Sequence, residues 1–149
     1  MKTHIDRLPE YYEHEYKQKF EDLDWDWLKD LSTKKRLLVI DDESIFRVAY
    51  SRIFFNEGYI VRTAANATDA NDILVRERID IVLLDINMAE VDGSILYELI
   101  RTFHKEVKVV VSSVYPIDEQ KERVKLADAY FDKSDGKDAL MKIISSLGG

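Results

Sequence analysis

From Arg36 onward the apolar positions fall into short runs separated by stretches of helical spacing. The runs are Leu37–Ile40, Tyr59–Val61, Ile79–Leu84, Val107–Val111 and Ala129–Phe131. The third and fourth are nearly continuous (IDIVLL, VKVVV), as expected of strands buried on both faces of a parallel sheet covered by helices. Between the runs, Phe46, Ala49, Tyr50, Ile53 and Phe54 recur at i, i+3, i+4, i+7 and i+8. Leu96, Leu99, Ile100 and Phe103 repeat the pattern, as do Leu140, Ile143, Ile144 and Leu147. Ala67–Arg78 predicts a second helix. Pro116–Ala127 predicts a fourth with a thin apolar stripe; Pro116 suits its first turn, and Asp118 and Glu119 complement its dipole. Gly58 stands where the first helix needs a left-handed stop. Five βα units joined by right-handed crossovers give an α/β fold with a doubly wound, five-stranded parallel sheet. Ligands of such folds sit beyond the carboxyl ends of the strands, where the strand order reverses.

Residues 1–35 follow a different pattern and are read as an N-terminal helical extension, with 36–149 as the main domain and the boundary at Ser32–Lys35. The segment holds both tryptophans and six of the sixteen aromatic residues. Tyr12, Tyr16, Phe20, Leu23, Trp27 and Leu31 form one stripe of an amphipathic helix that starts at Pro9. Glu13–Lys17 and Glu15–Lys19 are favourable i, i+4 pairs. The stripe needs burial against its own domain, against a second copy in a homodimer, or in another partner. His14 with Lys17 echoes the reactive histidine of phosphotransfer domains, but those need a four-helix bundle that this segment cannot form alone. His4 and His104 show no ligand spacing.

Composition narrows the chemistry. The 149 residues contain 46% hydrophobic and 34% charged residues, enough for a packed core. With no cysteine, disulfides, thiolate metal sites and cysteine nucleophiles are excluded. A net charge of −7 disfavours nucleic acid, and Lys34-Lys35-Arg36 reads as a solvated lead-in to the first strand. No apolar run approaches a membrane span and no secretory core is present, so a cytoplasmic location is expected.

Polar residues collect at the predicted strand ends: Asp41-Asp42-Glu43 after the first strand, Asp85 after the third, Ser112-Ser113 after the fourth and Lys133 past the fifth. Crowded carboxylates repel one another, and a hard divalent cation such as Mg²⁺ relieves that repulsion while keeping positions open for phosphate oxygens. Asp41, Asp42 and Asp85 suit such a cation. Ser112 and Lys133 suit the oxygens of a phosphoryl group. A carboxylate so placed can act as a nucleophile and form an aspartyl phosphate, which gives Asp85 a second role. Singly, each of these residues reads as a cap, a turn or a surface group; their joint occurrence at four strand ends points to a site.

At this point residues 36–147 resemble the receiver domain of two-component response regulators, a (βα)5 flavodoxin-like fold. The resemblance rests on Leu37–Glu43 (LLVIDDE), Glu57-Gly58-Tyr59, Asp80–Met88 (DIVLLDINM), Asp92-Gly93, Val109–Ser113 (VVVSS) and Tyr130–Lys133 (YFDK). It implies that Asp85 is the phospho-acceptor. Asp41, Asp42 and Asp85 are implied as Mg²⁺ ligands, with the Asn87 backbone carbonyl as another. By the same resemblance Ser112 is the switch hydroxyl, Lys133 contacts the phosphoryl group, and Tyr130 turns inward when the hydroxyl moves. Asn87 and Val114 occupy the positions that tune phosphoryl lifetime. Val114 cannot orient water, so slow autodephosphorylation is expected. The sequence departs from the family's pattern at Ala89 and Ser134, where prolines are usual, and at Leu126-Ala127, where Gly-Ala is usual. The spacing from Ser112 to Lys133 is also short by about one residue.

The function expected from this resemblance is that of a stand-alone receiver, not an enzyme. It accepts a phosphoryl group from a histidine kinase or phosphotransfer protein and switches a surface for a downstream protein that the sequence does not identify. The end at Gly149, directly after the last helix, carries the expectation that no output domain follows. The alternative is an interaction or dimerisation module that works without phosphate. A haloacid-dehalogenase phosphatase would need Asp-x-Asp where Asp41-Asp42-Glu43 stands, and a flavodoxin-type cofactor binder would need a Ser/Thr/Gly-rich phosphate loop there.

Overall fold

The structure, a computed structural model, describes residues 33–89 and 91–148 together with Asp26. The chain divides into two units, Met1–Lys34 and Lys35–Gly149, and the second carries the sheet. The stripe of Tyr12, Tyr16, Phe20, Leu23, Trp27 and Leu31 lies outside the described residues, as do His14 and Lys17.

Strands and helices alternate as β1 (Arg36–Ile40), α1 (Ser44–Asn56), β2 (Ile60–Ala64), α2 (Ala67–Arg76), β3 (Ile81–Asp85), α3 (Gly93–Phe103), β4 (Lys108–Ser113), α4 (Ile117–Arg123), β5 (Ala129–Asp132) and α5 (Lys137–Ser146). All pairings are parallel, in the order β2-β1-β3-β4-β5. This is the expected doubly wound, flavodoxin-like arrangement, and its order reverses between β1 and β3.

The central strands are apolar on both faces because helices cover both. Leu37, Val39, Ile81, Leu83, Val110 and Phe131 face Tyr50 and Phe54 of α1 and Leu140 and Ile144 of α5. Leu38, Ile40, Val82, Leu84, Val109 and Val111 face α2 and α3. Each fully buried branched side chain here contributes about 1.5–3 kcal/mol. Helix α3 keeps only half of its expected stripe: Leu96 and Ile100 are buried, joined by Tyr97, whereas Leu99 and Phe103 lie outside with Ile95.

Three elements differ from the periodicity. Tyr59 belongs to the turn after α1, not to β2. Its N–H donates to the Phe54 carbonyl (3.0 Å), its ring meets Phe54 edge-on, and Gly58 beside it adopts φ 93°. β2 runs instead to Ala64, through exposed Arg62 and Thr63 that suit an edge strand and give no apolar signal. Helix α2 ends at Arg76 rather than Arg78, because Glu77 turns extended and its carboxylate binds Arg36 (3.2 Å) and Arg62 (3.0 Å). Helix α4 stops at Arg123 because Val124 leaves the helix to enter the core. Leu126 then adopts φ 65°, a left-handed conformation that costs a non-glycine residue about 1–2 kcal/mol. This is the position where the family's glycine is missing. Two phenols hold the resulting turn: Tyr97 donates to the Leu126 carbonyl (2.9 Å), and Tyr130 donates to the Val124 carbonyl (2.6 Å) while accepting from the Ala127 N–H (3.2 Å).

Candidate phosphoryl-acceptor site

Strand parity decides which way the strand-end residues point. Leu37 and Val39 of β1, Ile81 and Leu83 of β3, and Val110 of β4 face α1 and α5. Two residues further on the same side come Asp41, Asp85 and Ser112. Lys133 follows Phe131 in the same way. Asp85 and Ser112 are direct register partners. The Lys133 N–H donates to the Ser113 carbonyl (2.8 Å), which extends the β4–β5 ladder by one step and fixes where the lysine starts. The loop after it is closed by Asp132, whose carboxylate accepts from the Ser134 N–H (2.9 Å) and hydroxyl (2.7 Å), so no proline is needed to turn the chain. Those bonds lower the Asp132 carboxyl below its ordinary pKa.

The acidic residues meet at the switch point. Asp41, Asp42 and Asp85 each offer a carboxylate oxygen within 4.8 Å of the others. Asp41 and Asp85 are 2% exposed, whereas Asp42 faces solvent. The Lys133 ammonium, on a side chain 4% exposed, lies 2.7 Å from Asp41 and 3.5 Å from Asp85. It also sits 4.0 Å from the centre of the Phe46 ring. The Glu43 N–H donates to Asp41 (2.9 Å), the Asn87 N–H to Asp85 (3.0 Å) and the Ala89 N–H to Asp42 (2.9 Å).

One ammonium faces three carboxylates, so the cluster is short of positive charge. Burial lifts the Asp85 carboxyl to about 6, against the Asn87 N–H and the Lys133 charge that pull it down; Asp41 and Asp42 add to the rise. All-oxygen donors with excess negative charge fit Mg²⁺, a hard ion that takes a few carboxylates and keeps its other positions for water or phosphate.

The raised pKa has a measurable consequence. In the folded chain Asp85 holds its proton up to about pH 6, and in the unfolded chain only to about 3.9. Its contribution to stability is therefore complete below the lower value and lost as pH rises through the upper one. In Mg²⁺-free buffer, the stability of Asp85→Asn relative to wild type should climb between these two pH values and then level off. Urea titrations across that window check it, and a pH-independent difference would contradict the assignment.

The Ser112 hydroxyl is buried beside Asp85 and makes no well-formed hydrogen bond; the Tyr50 phenol is close enough for a weak one. It is thus ready to bind something else. Tyr50 packs edge-on against Phe131 and stacks on Phe46, and burial with the Asp41 and Asp85 charges pushes its phenol up to about 12, which keeps it protonated. Ser113 points the other way, donating to the Asn87 side-chain oxygen (3.3 Å) and accepting from the Tyr115 N–H (3.0 Å). Val114 is exposed, as is Asn87.

Three contributors were not evident from the sequence. Phe46 reads as one more member of the α1 stripe, yet its ring caps Lys133. Arg47 donates to the Asp41 carbonyl (2.7 Å) and so fixes the end of β1. At Gly93, a Cβ would lie 2.4 Å from the Ile86 Cα and 2.7 Å from the Asp85 carbonyl oxygen. Only the Asp92-Gly93 match to the family hinted at this close approach.

Residues 37–145 match the response regulator receiver domain family, and the chain belongs to that family. The sporulation initiation phosphotransferase F of Bacillus subtilis is 31% identical over 81 residues, covering 54% of this chain and 65% of that protein. The sensor kinase CckA of Brucella abortus is 33% identical over 91 residues, 60% of this chain but 10% of the kinase. Among solved structures, the response regulator TrrA of Thermotoga maritima, in complex with Mg²⁺ and BeF, is 31% identical with a TM-score of 0.70, covering 76% of this chain and 98% of that one.

Proposed function

We propose that Asp85 accepts a phosphoryl group from the phosphohistidine of a histidine kinase or phosphotransfer protein, and that the aspartyl phosphate switches a protein-binding surface. The observation that carries this reading is the buried Asp85 carboxylate flanked by Asp41, Lys133 and the weakly held Ser112 hydroxyl. The relatives support it, since one is by name a phosphotransferase and another a sensor kinase.

Asp41, Asp42, Asp85 and the Asn87 carbonyl would hold Mg²⁺, which when bound neutralises charge on the transferring group. The chain's own residues supply the rest. An Asp85 oxygen forms the new bond to phosphorus as the phosphorus–nitrogen bond breaks and the donor's imidazole leaves with the electron pair. Lys133, already between Asp41 and Asp85, takes up the added negative charge. Ser112 donates to a phosphoryl oxygen, and that movement at the end of β4 is transmitted to Tyr130. Lack of a polar group at Val114 makes water attack slow. Ile45 and Val48 on the outer face of α1 give an incoming donor domain an apolar contact near the acceptor. We place the protein in the cytoplasm, where such donors act; among the described residues no helix is long and apolar enough to cross a membrane.

Labelling with a small phosphodonor and Mg²⁺ tests the assignment. Wild type should take up one phosphoryl group that alkali or hydroxylamine removes, and Asp85→Asn should take up at least a hundredfold less. Equal labelling would leave the chain as an interaction module that works without phosphate.

A further inference from the structure

The Ala89 N–H donates to the Asp42 side-chain oxygen Oδ2 at 2.9 Å, a bond that ties the β3–α3 loop to the end of β1 across 47 residues. Receiver domains usually carry proline at this position, and proline has no N–H to give. The replacement therefore adds a donor that the usual residue cannot supply. Ala89 is held where it is by its neighbours: the Asn87 N–H is bonded to Asp85 (3.0 Å), and the Met88 side chain is buried in the core. Asp42, by contrast, is the exposed member of the acidic cluster. Apart from the Ala89 N–H, no hydrogen bond or ion pair to its carboxylate is found among the described residues.

We propose that the Ala89 backbone N–H is a positioning group for the divalent-cation site: it fixes the Asp42 carboxylate with Oδ2 engaged, so that Oδ1 is left for the cation. The inference rests on the Mg²⁺ reading given above. An exposed aspartate samples several rotamers in water, and a cation that binds it must first restrict them. A hydrogen bond from the backbone of the β3–α3 loop makes that restriction part of the fold. Groups that orient metal ligands in this way change affinity by about 10–100-fold when removed. Here the ligand is solvent-exposed and water can replace the lost donor, so the effect should fall at or below the lower end of that range.

The test is Mg²⁺ binding to the full chain by calorimetry, with no phosphodonor present. Ala89→Gly keeps the N–H and should bind within about twofold of wild type. Ala89→Pro removes it and should weaken binding by about three- to tenfold. A backbone amide measurement guards against the proline disturbing the loop by itself. The Ala89 amide proton should be slow to exchange in wild type and fast in Asp42→Ala, and its resonance should shift with added Mg²⁺ at the calorimetric midpoint. An Ala89→Pro chain that binds Mg²⁺ as tightly as wild type, or an Ala89 amide indifferent to Asp42→Ala, overturns the inference and leaves the acceptor assignment intact. A wild-type chain that binds no Mg²⁺ overturns the metal reading and this inference with it.

Discussion

Lys133→Met is expected to cost the Mg²⁺-free protein about 3 kcal/mol, the low end of what breaking a buried ion pair costs. The ammonium is buried and contacts both Asp41 and Asp85. Methionine keeps most of the stem and stays apolar against Phe46 but leaves two buried carboxylates facing each other. Asp85 can escape part of the penalty by taking up a proton, since its carboxyl already stands at about 6 and loses the charge that held it down. Adding Mg²⁺ should return most of the lost stability, because the cation supplies the missing charge. Phosphodonor labelling should nevertheless stay low, since the new phosphoryl charge then lacks its partner. Urea melts of both proteins with and without Mg²⁺ give the answer. Identical wild-type and variant curves in Mg²⁺-free buffer would show that the lysine is not compensating the cluster.

Gly93→Ala should be nearly as damaging, for a steric rather than an electrostatic reason. The added carbon would meet backbone atoms of Asp85 and Ile86, and backbone cannot rotate aside. Either α3 backs away or the end of β3 moves. Overpacking of this kind costs about 1–3 kcal/mol. Because the atoms displaced carry Asp85, the proposed acceptor, the loss of labelling should exceed the loss of stability. A misplacement near 1 Å at a reacting group can cost about a hundredfold in rate. Thermal melts and initial labelling rates measured together will separate the two effects. A variant that melts and labels like wild type would mean that the Cβ can be accommodated.

The buried half of this architecture was legible in the sequence because burial leaves an apolar signature. β1, β3 and β4 overlap the runs that predicted them, but β3 begins at Ile81 rather than Ile79 and β4 at Lys108 rather than Val107, and both end on polar residues that pair without looking apolar. The acidic cluster was legible for a related reason: side chains two apart on a strand share a face, so Asp41 and Asp85 inherit the orientation of Val39 and Leu83. What the pattern could not carry was set by polar contacts. The end of α2 depends on Glu77 finding Arg36 and Arg62, and the end of α4 on Val124 being drawn into the core. The edge strand β2 was cut short because Arg62 and Thr63 face outward. The close approach at Gly93, the capping of Lys133 by Phe46 and the Ala89–Asp42 bond each join segments distant in the chain. No local pattern records them. The roles of the Asn87 carbonyl and Val114 come from the family resemblance.

The turn between α4 and β5 links parts of the molecule that share no helix or strand. Its carbonyls are gripped by one phenol from α3 and another from β5, and the Arg101 guanidinium, itself paired with Asp128, donates to the first phenol (3.0 Å). A rotation of Tyr130 therefore cannot be a solitary event. It strands the Val124 carbonyl and the Ala127 N–H, and with them a leucine already held in a left-handed conformation. Were Tyr130 to turn inward as proposed, ring and loop would have to move together, against the bond that Tyr97 of α3 makes to the same turn.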